Sequence, residues 1–562
     1  MTLLKNNISA LLTAMLLSSF CVVGYSFQET DSFHLIFGSE ESNPALAAVT
    51  FLVLWGLLFI AIVYLFKGMD SWNKKLMSGQ RNETVLIRHP FAISFMILIV
   101  AYIPYTVLSY PAIFLADESM ELLEWHPELG VYFPIYLEGH LVKEGVMLNT
   151  HMPLFHTVLL NTVFDIGFAL FGSANKAIFL YSVLQELGTF AVLAAFISFG
   201  VKEWNFPGFM VVACLLYYIC SPRIQNYMMV TTKDVFYADC LILFLMFSWK
   251  VMFHEKTWGN LVGFALSALG LFLLRNDGRY ILVFALVLSL AAGRRHWKKV
   301  ALIATGATIV LAILLDSILL PALSVTPGSR REMLSVPFQQ TARYVKNYPE
   351  DVTAEEAAAI DKILDYKRLA KKYDNGRADR VKDTFREEAT NEELIQYFKV
   401  WWQMFRKHPL VYVASFINNY YQYFFPSVYS MRIRGYDFST DQFAWLSNHM
   451  KPLGIHFSYP KSLETYRNRY EFYRESKRWE PLVNAATYDW MLILAIAYSI
   501  SRKRRQAIIM LAYPLGVLLV CCLSPCNGFF CRYTYPLMMA LPVFFLGAMN
   551  TPVFQKETVK KE

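Results

Sequence analysis

Apolar residues in this chain gather in long unbroken runs rather than in the stripes of helices packed on a soluble core. Crossing a bilayer takes about 20 apolar residues. Stretches near that length fall at residues 8–26, 45–66, 91–115, 177–199, 208–220, 235–252, 259–274, 280–292, 300–320, 483–500, 507–523 and 533–549. Several are short, which predicts tilted helices or a locally thinned bilayer. Residues 153–171 are also apolar, but Thr157, Asn161 and Asp165 recur every four positions and form one polar stripe. That pattern predicts a helix lying in the interface rather than crossing it. Residues 321–482 are more polar and read as a helical insertion, with Thr353 and Glu356 spaced as a capping box ahead of residues 357–364. Its segment 412–425 interleaves aromatic residues with Asn418, Asn419 and Gln422, a composition suited to an interface.

Charge orders these spans. The loop after the first run carries Glu29, Asp31, Glu40 and Glu41 and no Lys or Arg, whereas the loop after the second carries Lys67, Lys74, Lys75, Arg81 and Arg88. Basic loops stay in the cytoplasm, as should the hairpins at Arg294, Arg295, Lys298 and Lys299 and at Arg502, Lys503, Arg504 and Arg505. The expected fold is an all-α polytopic membrane protein of about 12 transmembrane helices. Both termini are then cytoplasmic and the insertion extracytoplasmic. Counting residues 153–171 and 410–425 as crossings gives fourteen instead, and puts the hairpin at Arg294 outside, against the charge rule. The division is residues 1–90, two spans and a cytoplasmic loop; 91–320, a core with an outer loop at 116–176; 321–482, the insertion; and 483–562, three spans and a tail.

Composition agrees with a bilayer as solvent. Of 562 residues 56% are hydrophobic and 17% charged, against roughly 25% charged in a soluble domain. The net charge of +8 would suit nucleic acid, but the basic residues sit beside apolar runs and report topology instead. Membrane lipids are the implied partner, with no nucleic acid. Cys526 and Cys531 flank a short turn placed outside, which leaves a disulfide open. Cys21, Cys214, Cys220 and Cys240 read as small buried hydrophobes.

Polar clusters at span ends need a reason, because an unpaired charge at mid-bilayer costs about 3 kcal/mol. Four fall on the same outer side: Asp117 with Glu118; Asn149 to Thr157, holding His151 and His156; Thr231 to Asp234, holding Lys233; and Arg275, Asn276, Asp277, Gly278 and Arg279. Acidic boundaries, helix caps and paired lysines account for the first three taken singly. The fourth is harder, since two arginines close to apolar runs call for anionic partners, and a guanidinium grips phosphate with two prongs. Arg532 beside Tyr533 is a weaker fifth, equally a snorkelling anchor. A carboxylate facing arginines at headgroup depth suits deprotonation of an acceptor hydroxyl and stabilisation of a departing phosphate.

This arrangement resembles the GT-C class of glycosyltransferases, which use polyprenyl-phosphate sugars at the outer face. The resemblance implies an acidic residue in the first large outer loop, here Asp117, then a juxtamembrane helix ending like Leu170, Phe171 and Gly172, and a second acidic residue opening a later span, here Asp234. It implies Asp117 and Asp234 as catalytic, Lys233, Arg275, Arg279 and Arg532 on the donor phosphate, and Glu118, His151, His156, Asn276, Asp277 and Gln340 on substrate. The implied partners are a polyprenyl-phosphate-linked sugar donor and a cell-envelope glycan or glycolipid acceptor at a plasma membrane. Metal ligands vary within the class, so a divalent ion stays open. The segments 149–157, 232–234, 274–280 and 334–343 further resemble a bacterial membrane-protein family in which Arg-Asn-Asn is common where this chain has Arg275, Asn276 and Asp277. Those motifs cover about residues 90–545, so the first two spans look like an addition. A transporter of a lipid-linked saccharide is the alternative, though such carriers place charges near the midplane in two related halves.

Overall fold

Inside lipid, backbone groups find no water, so apolar runs satisfy them within the segment by forming helices. Helix is the only regular structure among the described residues, beside two isolated bridges. The computed structural model describes residues 7–78, 84–114, 116–126, 148, 150–253, 257–291, 295–323, 325, 328–426, 450–456, 463, 466, 480–523 and 532–548. Asn149, Arg294, Cys526 and Cys531 lie outside them.

In chain order come α1 (Ile8–Thr30), α2 (Pro44–Ser78), α3 (Pro90–Leu108), the short α4 (Ala116–Trp125), α5 (Leu154–Phe171), α6 (Ala174–Glu203), α7 (Gly208–Cys220), α8 (Pro222–Met228), α9 (Lys233–Phe253), α10 (Trp258–Leu274), α11 (Gly278–Leu290) and α12 (Arg295–Leu314). The segment after them carries α13 (Ser335–Asn347), α14 (Ala354–Asp361), α15 (Asn391–Lys407) and α16 (Pro409–Phe424). The last three are α17 (Ala485–Ser501), α18 (Arg505–Leu523) and α19 (Tyr535–Ala548). Among the described residues, 7 helices are long and apolar enough to cross a membrane: α1, α2, α3, α5, α6, α9, and α12 with its continuation to Ala322. The pair α7 and α8, bent by 64°, makes an eighth if taken as one span. Pro222 opens α8 and holds Ser221 extended, which explains the bend. The helices α10, α11, α17 and α19, and the apolar part of α18, are shorter. This is a multi-pass membrane protein.

The polar stripe of α5 meets α4. Thr157 and Asn161 are buried and Asp165 is exposed: Asn161 donates to the carbonyls of Glu121 (3.0 Å) and Thr157 (2.8 Å), and Trp125 Nε1 donates to Asp165 (3.2 Å). With its polar side spent on α4, α5 passes the same length and hydropathy test as the spans.

Burial separates centre from rim. In α9, 72% of the apolar window is buried inside the protein, against 11% in α2 and in α12 with its continuation. The centre α9 packs on α6, α10 and α19. Two π-faces meet edge-on where Trp204 touches Trp249 (5.6 Å) and Phe544 (5.7 Å). The first hairpin is joined to the rest, with Phe20 stacked on Phe424 at 4.6 Å and Trp490 Nε1 donating to the Phe424 carbonyl at 2.7 Å.

Residues 328–426 have a core of their own, including Phe338, Tyr344, Ile360, Tyr397 and Met404. The capping box at Thr353 and Glu356 is formed, and a second, at Thr390 and Glu393, opens α15. Beside the apolar joint that α16 makes with α1, a polar joint forms at Thr150: Gly328 N donates to Thr150 Oγ1 (2.6 Å), and Asn276 Nδ2 donates to the Thr150 carbonyl (2.8 Å).

Candidate functional site

The residues before α4 and before α9 are tied together by backbone. Ile113 N donates to the Met229 carbonyl (3.1 Å) and Thr231 N to the Ile113 carbonyl (3.0 Å), a one-residue parallel bridge. Gln185 of α6 braces it, donating to the carbonyls of Met228 and Val230. The chain then enters two helices whose first turns hold Asp117 and Asp234, where the helix dipole favours a negative charge. Thr232 Oγ1 donates to Asp234 Oδ2 at 3.2 Å and fixes its rotamer.

Arg532, on the turn before α19, joins these carboxylates. Its Nη2 lies 2.6 Å from Asp117 Oδ2 and its Nε donates to Asp234 Oδ2. Lys233 Nζ adds a bond to Asp117 Oδ2 at 3.3 Å. Arg275 terminates α10, where the last carbonyls favour a cation. Its Nη1 donates to Asp234 Oδ1 (3.0 Å), while Nε and Nη2 grip Asp277 bidentately (2.8 and 2.7 Å). Tyr237 and Tyr533 each lie 5.2 Å from its guanidinium carbon. Gly278 closes the turn to α11 because a Cβ there would strike the Leu271 carbonyl.

These groups floor a cavity of about 1510 Å³, larger than the 300–1,000 Å³ typical of small-ligand sites. Its sides differ. One is apolar, with Phe155 and Val158 of α5 facing Leu315, Leu319 and Leu320, and Phe155, Val158 and Leu319 are exposed at the surface as well. The other comes from residues 328–383, where Lys382 Nζ bonds Glu332 (2.6 Å) and Asp379 (3.1 Å).

Electrostatics follow from this packing. Burial pushes Asp117 up, but Arg532, Lys233 and His151 together outweigh it and hold the carboxyl below its usual range. Burial pushes Glu118 up to about 7, with Arg532 opposing and Asp117 adding to the rise. His151 is pushed down by burial, against the pull of Glu332 and Asp117. Among the described residues no group of three or more His, Cys, Asp or Glu side chains is arranged to hold a metal ion. The carboxylates of Asp117, Asp234 and Asp277 are turned onto Lys233, Arg275 and Arg532. A donor set neutralised in this way does not fit a divalent cation.

Asp117, His151, Lys233, Asp234, Arg275, Asn276, Asp277, Arg279 and Arg532 all line the cavity. Three expected residues sit elsewhere. Glu118 is buried behind Asp117 in α4. His156 is buried between Glu121 (2.5 Å) and the Tyr181 hydroxyl (2.9 Å), joining α5 to α4 and α6. Gln340 packs inside the helical segment, donating to the Tyr412 carbonyl at 3.3 Å. Arg275 lines the cavity but, contrary to expectation, its fork is already closed on Asp277 rather than open to phosphate. The sequence reading did not place Tyr237, Glu332, Lys382 or Asp316 here. Only Asp316 carried a signal, as the sole charge within residues 300–320.

Residues 2–561 match a family described as "Family of unknown function (DUF6020)". The chain belongs to the DUF6020 family. The match includes α1 and α2, so the first two helices are part of this family's chain rather than an addition to it. Comparison of this DUF6020 protein with curated proteins and with solved structures finds no match.

Proposed function

We propose that this protein is an inverting glycosyltransferase resembling the GT-C class, transferring a sugar from a polyprenyl-phosphate donor to a cell-envelope acceptor at the outer face of a plasma membrane. About 12 crossings with both termini cytoplasmic is the topology that goes with this reading. The observation that carries it is the joining of Asp117 and Asp234 through Arg532 in one cavity with an apolar side and a polar side. The apolar side suits a lipid tail and the polar side a glycan.

In this reaction the acceptor hydroxyl attacks the anomeric carbon, its proton passes to Asp117, and the bond from that carbon to the phosphate oxygen breaks with its electron pair leaving on polyprenyl phosphate. The same cations hold Asp117 acidic and await the phosphate. When the donor phosphate draws Arg532 and Lys233 away from Asp117, the carboxylate regains basicity as the leaving group gains its counter-charges. Arg275, closed on Asp277 and stacked by two tyrosines, positions Asp234 instead of binding phosphate directly. The test is transfer from a polyprenyl-phosphate sugar to acceptor in reconstituted vesicles, comparing wild type with Asp117→Asn. Undiminished transfer by the folded variant defeats the assignment.

A second reading, a transporter of a lipid-linked saccharide, draws on Glu186, Asp239 and Asp489, buried along the bundle, since carboxylates inside membrane helices mark ion paths. It requires that Asp239→Asn stop movement of a lipid-linked saccharide across vesicle membranes while leaving sugar transfer at background in every variant.

A further inference from the structure

The apolar run of residues 300–320 contains one charged residue, Asp316. Nothing in the run's own pattern calls for it, and a carboxylate in an otherwise lipid-compatible helix is costly. At this point the helix changes form: Leu315–Leu319 is a π-helical segment continuing α12, a local widening that recurs at functional positions. Asp316 Oδ2 accepts from Arg279 Nη1 at 2.6 Å. Arg279 is as oddly placed, a cation in the first turn of α11, where the helix dipole disfavours positive charge. Its guanidinium rests on Tyr280 at 5.1 Å, and its Nε is buried without an acceptor among the described residues. The Asp316 bond therefore takes one nitrogen of the guanidinium and leaves its outer edge incompletely matched.

The pair joins α11 to α12 and lines the cavity on its apolar side, next to Leu315, Leu319 and Leu320. The wall it fastens is thinly held, because only 11% of the apolar window in α12 and its continuation is buried in the protein. We infer that Asp316 and Arg279 form a latch on the lipid side of the cavity, and that Arg279 is the first contact of an anionic lipid phosphate arriving from the bilayer. This rests on the reading of the cavity as a lipid-phosphate site. The phosphate offers two oxygens to the outer Nη1–Nη2 edge, and so competes for the Nη1 that Asp316 holds, with a two-pronged match that the single Asp316 bond lacks. Asp316, about half exposed on its side chain at 49%, is released towards water. From Arg279 the headgroup passes to Arg532 and Lys233 on the floor, so each cation along the way is masked by a carboxylate until phosphate displaces it.

The experiment measures binding of polyprenyl monophosphate to the full-length protein in lipid nanodiscs. Asp316→Asn removes the competing charge and keeps the side chain's size. If the latch is closed nine-tenths of the time, freeing Arg279 tightens apparent binding about tenfold. Arg279→Gln weakens binding, and the double variant matches Arg279→Gln. Uncharged polyprenol shows none of these changes, and millimolar inorganic phosphate does not compete. Wild-type binding with Asp316→Asn unchanged or weaker overturns the latch alone, the result expected if the pair merely neutralises two charges. Full competition by inorganic phosphate overturns the lipid assignment. Absence of binding by wild type and all variants overturns the reading of the cavity together with the latch. Asp316→Ala repeats the measurement should Asp316→Asn prove unstable.

Discussion

Each end of the bundle fastens distant segments with an aspartate and an arginine. At one end Asp70, late in α2, accepts from Arg502 Nη2 (2.6 Å) and from the Tyr498 hydroxyl (2.7 Å), with Asn73 donating to the same hydroxyl (3.2 Å). At the other, Asp117 and Asp234 share Arg532, and Arg275 is held by Asp234, Asp277 and two tyrosines. The parts are alike and the surroundings are not. Asp70 and Arg502 keep 35% and 27% of their side chains exposed, whereas Asp234 keeps 1% and Arg532 16%, beside the large cavity. A pair exposed by about a third is a fastening worth about 1 kcal/mol or less. Burying several charges together costs far more than a fastening returns, and an apolar replacement would hold the helices as well. The contrast teaches that burial beside a cavity, not the presence of an ion pair, marks the functional end.

The strongest way to break this comparison is Arg532→Gln. It leaves buried Asp234 and partly buried Asp117 without their shared cation, and losing one partner of a buried pair costs about 3–5 kcal/mol. Thermal unfolding in detergent should show a large fall, and a loss no bigger than that of an exposed pair would erase the distinction between the two ends. Asp117→Asn comes next. It removes a charge while keeping shape, so sugar transfer should drop by roughly 100- to 10,000-fold, with a smaller fall in melting temperature than Arg532→Gln because Arg532 keeps Asp234.

Glu118 sharpens the comparison through pH. Folded, it holds its proton to about 7, above its ordinary value of 4.5. The folded state therefore binds that proton more tightly than the unfolded state. Stability from this group is complete below the unfolded value and is lost as pH rises through 7, by about 3 kcal/mol at most. Melting temperature measured from pH 5 to 8 should fall in the wild type, and Glu118→Gln should flatten that part of the slope. The smallest effect belongs to the other end, where Asp70→Asn should cost about 1 kcal/mol or less and leave transfer within twofold. A transfer defect in that variant matching that of Asp117→Asn would show that the two ends are not different in kind.

Much of this protein was legible from local pattern. The long apolar runs became helices, Thr353 and Glu356 became a capping box, and Asp117, Lys233, Asp234, Arg275 and Arg532, spread over 415 positions from first to last (532 − 117), meet in one cavity. A charge rule that sorts loops to one side or the other brings such residues to the same end before any contact is known. Where local pattern was silent, a tertiary partner decided. The polar stripe of α5 predicts an interfacial helix but does not say that α4 meets Asn161 and Asp165 there. The resemblance implies His156 on substrate, whereas Glu121 and Tyr181 take both of its ring nitrogens.

The sequence by itself determined that this chain is helical and multi-pass and which polar groups share an end, because hydropathy and charge act over single segments and need no partner. Only the tertiary structure decided which arginine holds which carboxylate, that Arg275 is closed on Asp277 while Arg532 joins Asp117 to Asp234, and that Asp316 reaches Arg279 from another helix. Those are choices among like-charged candidates, and a sequence records their charges but not their distances, on which every one of these energies depends.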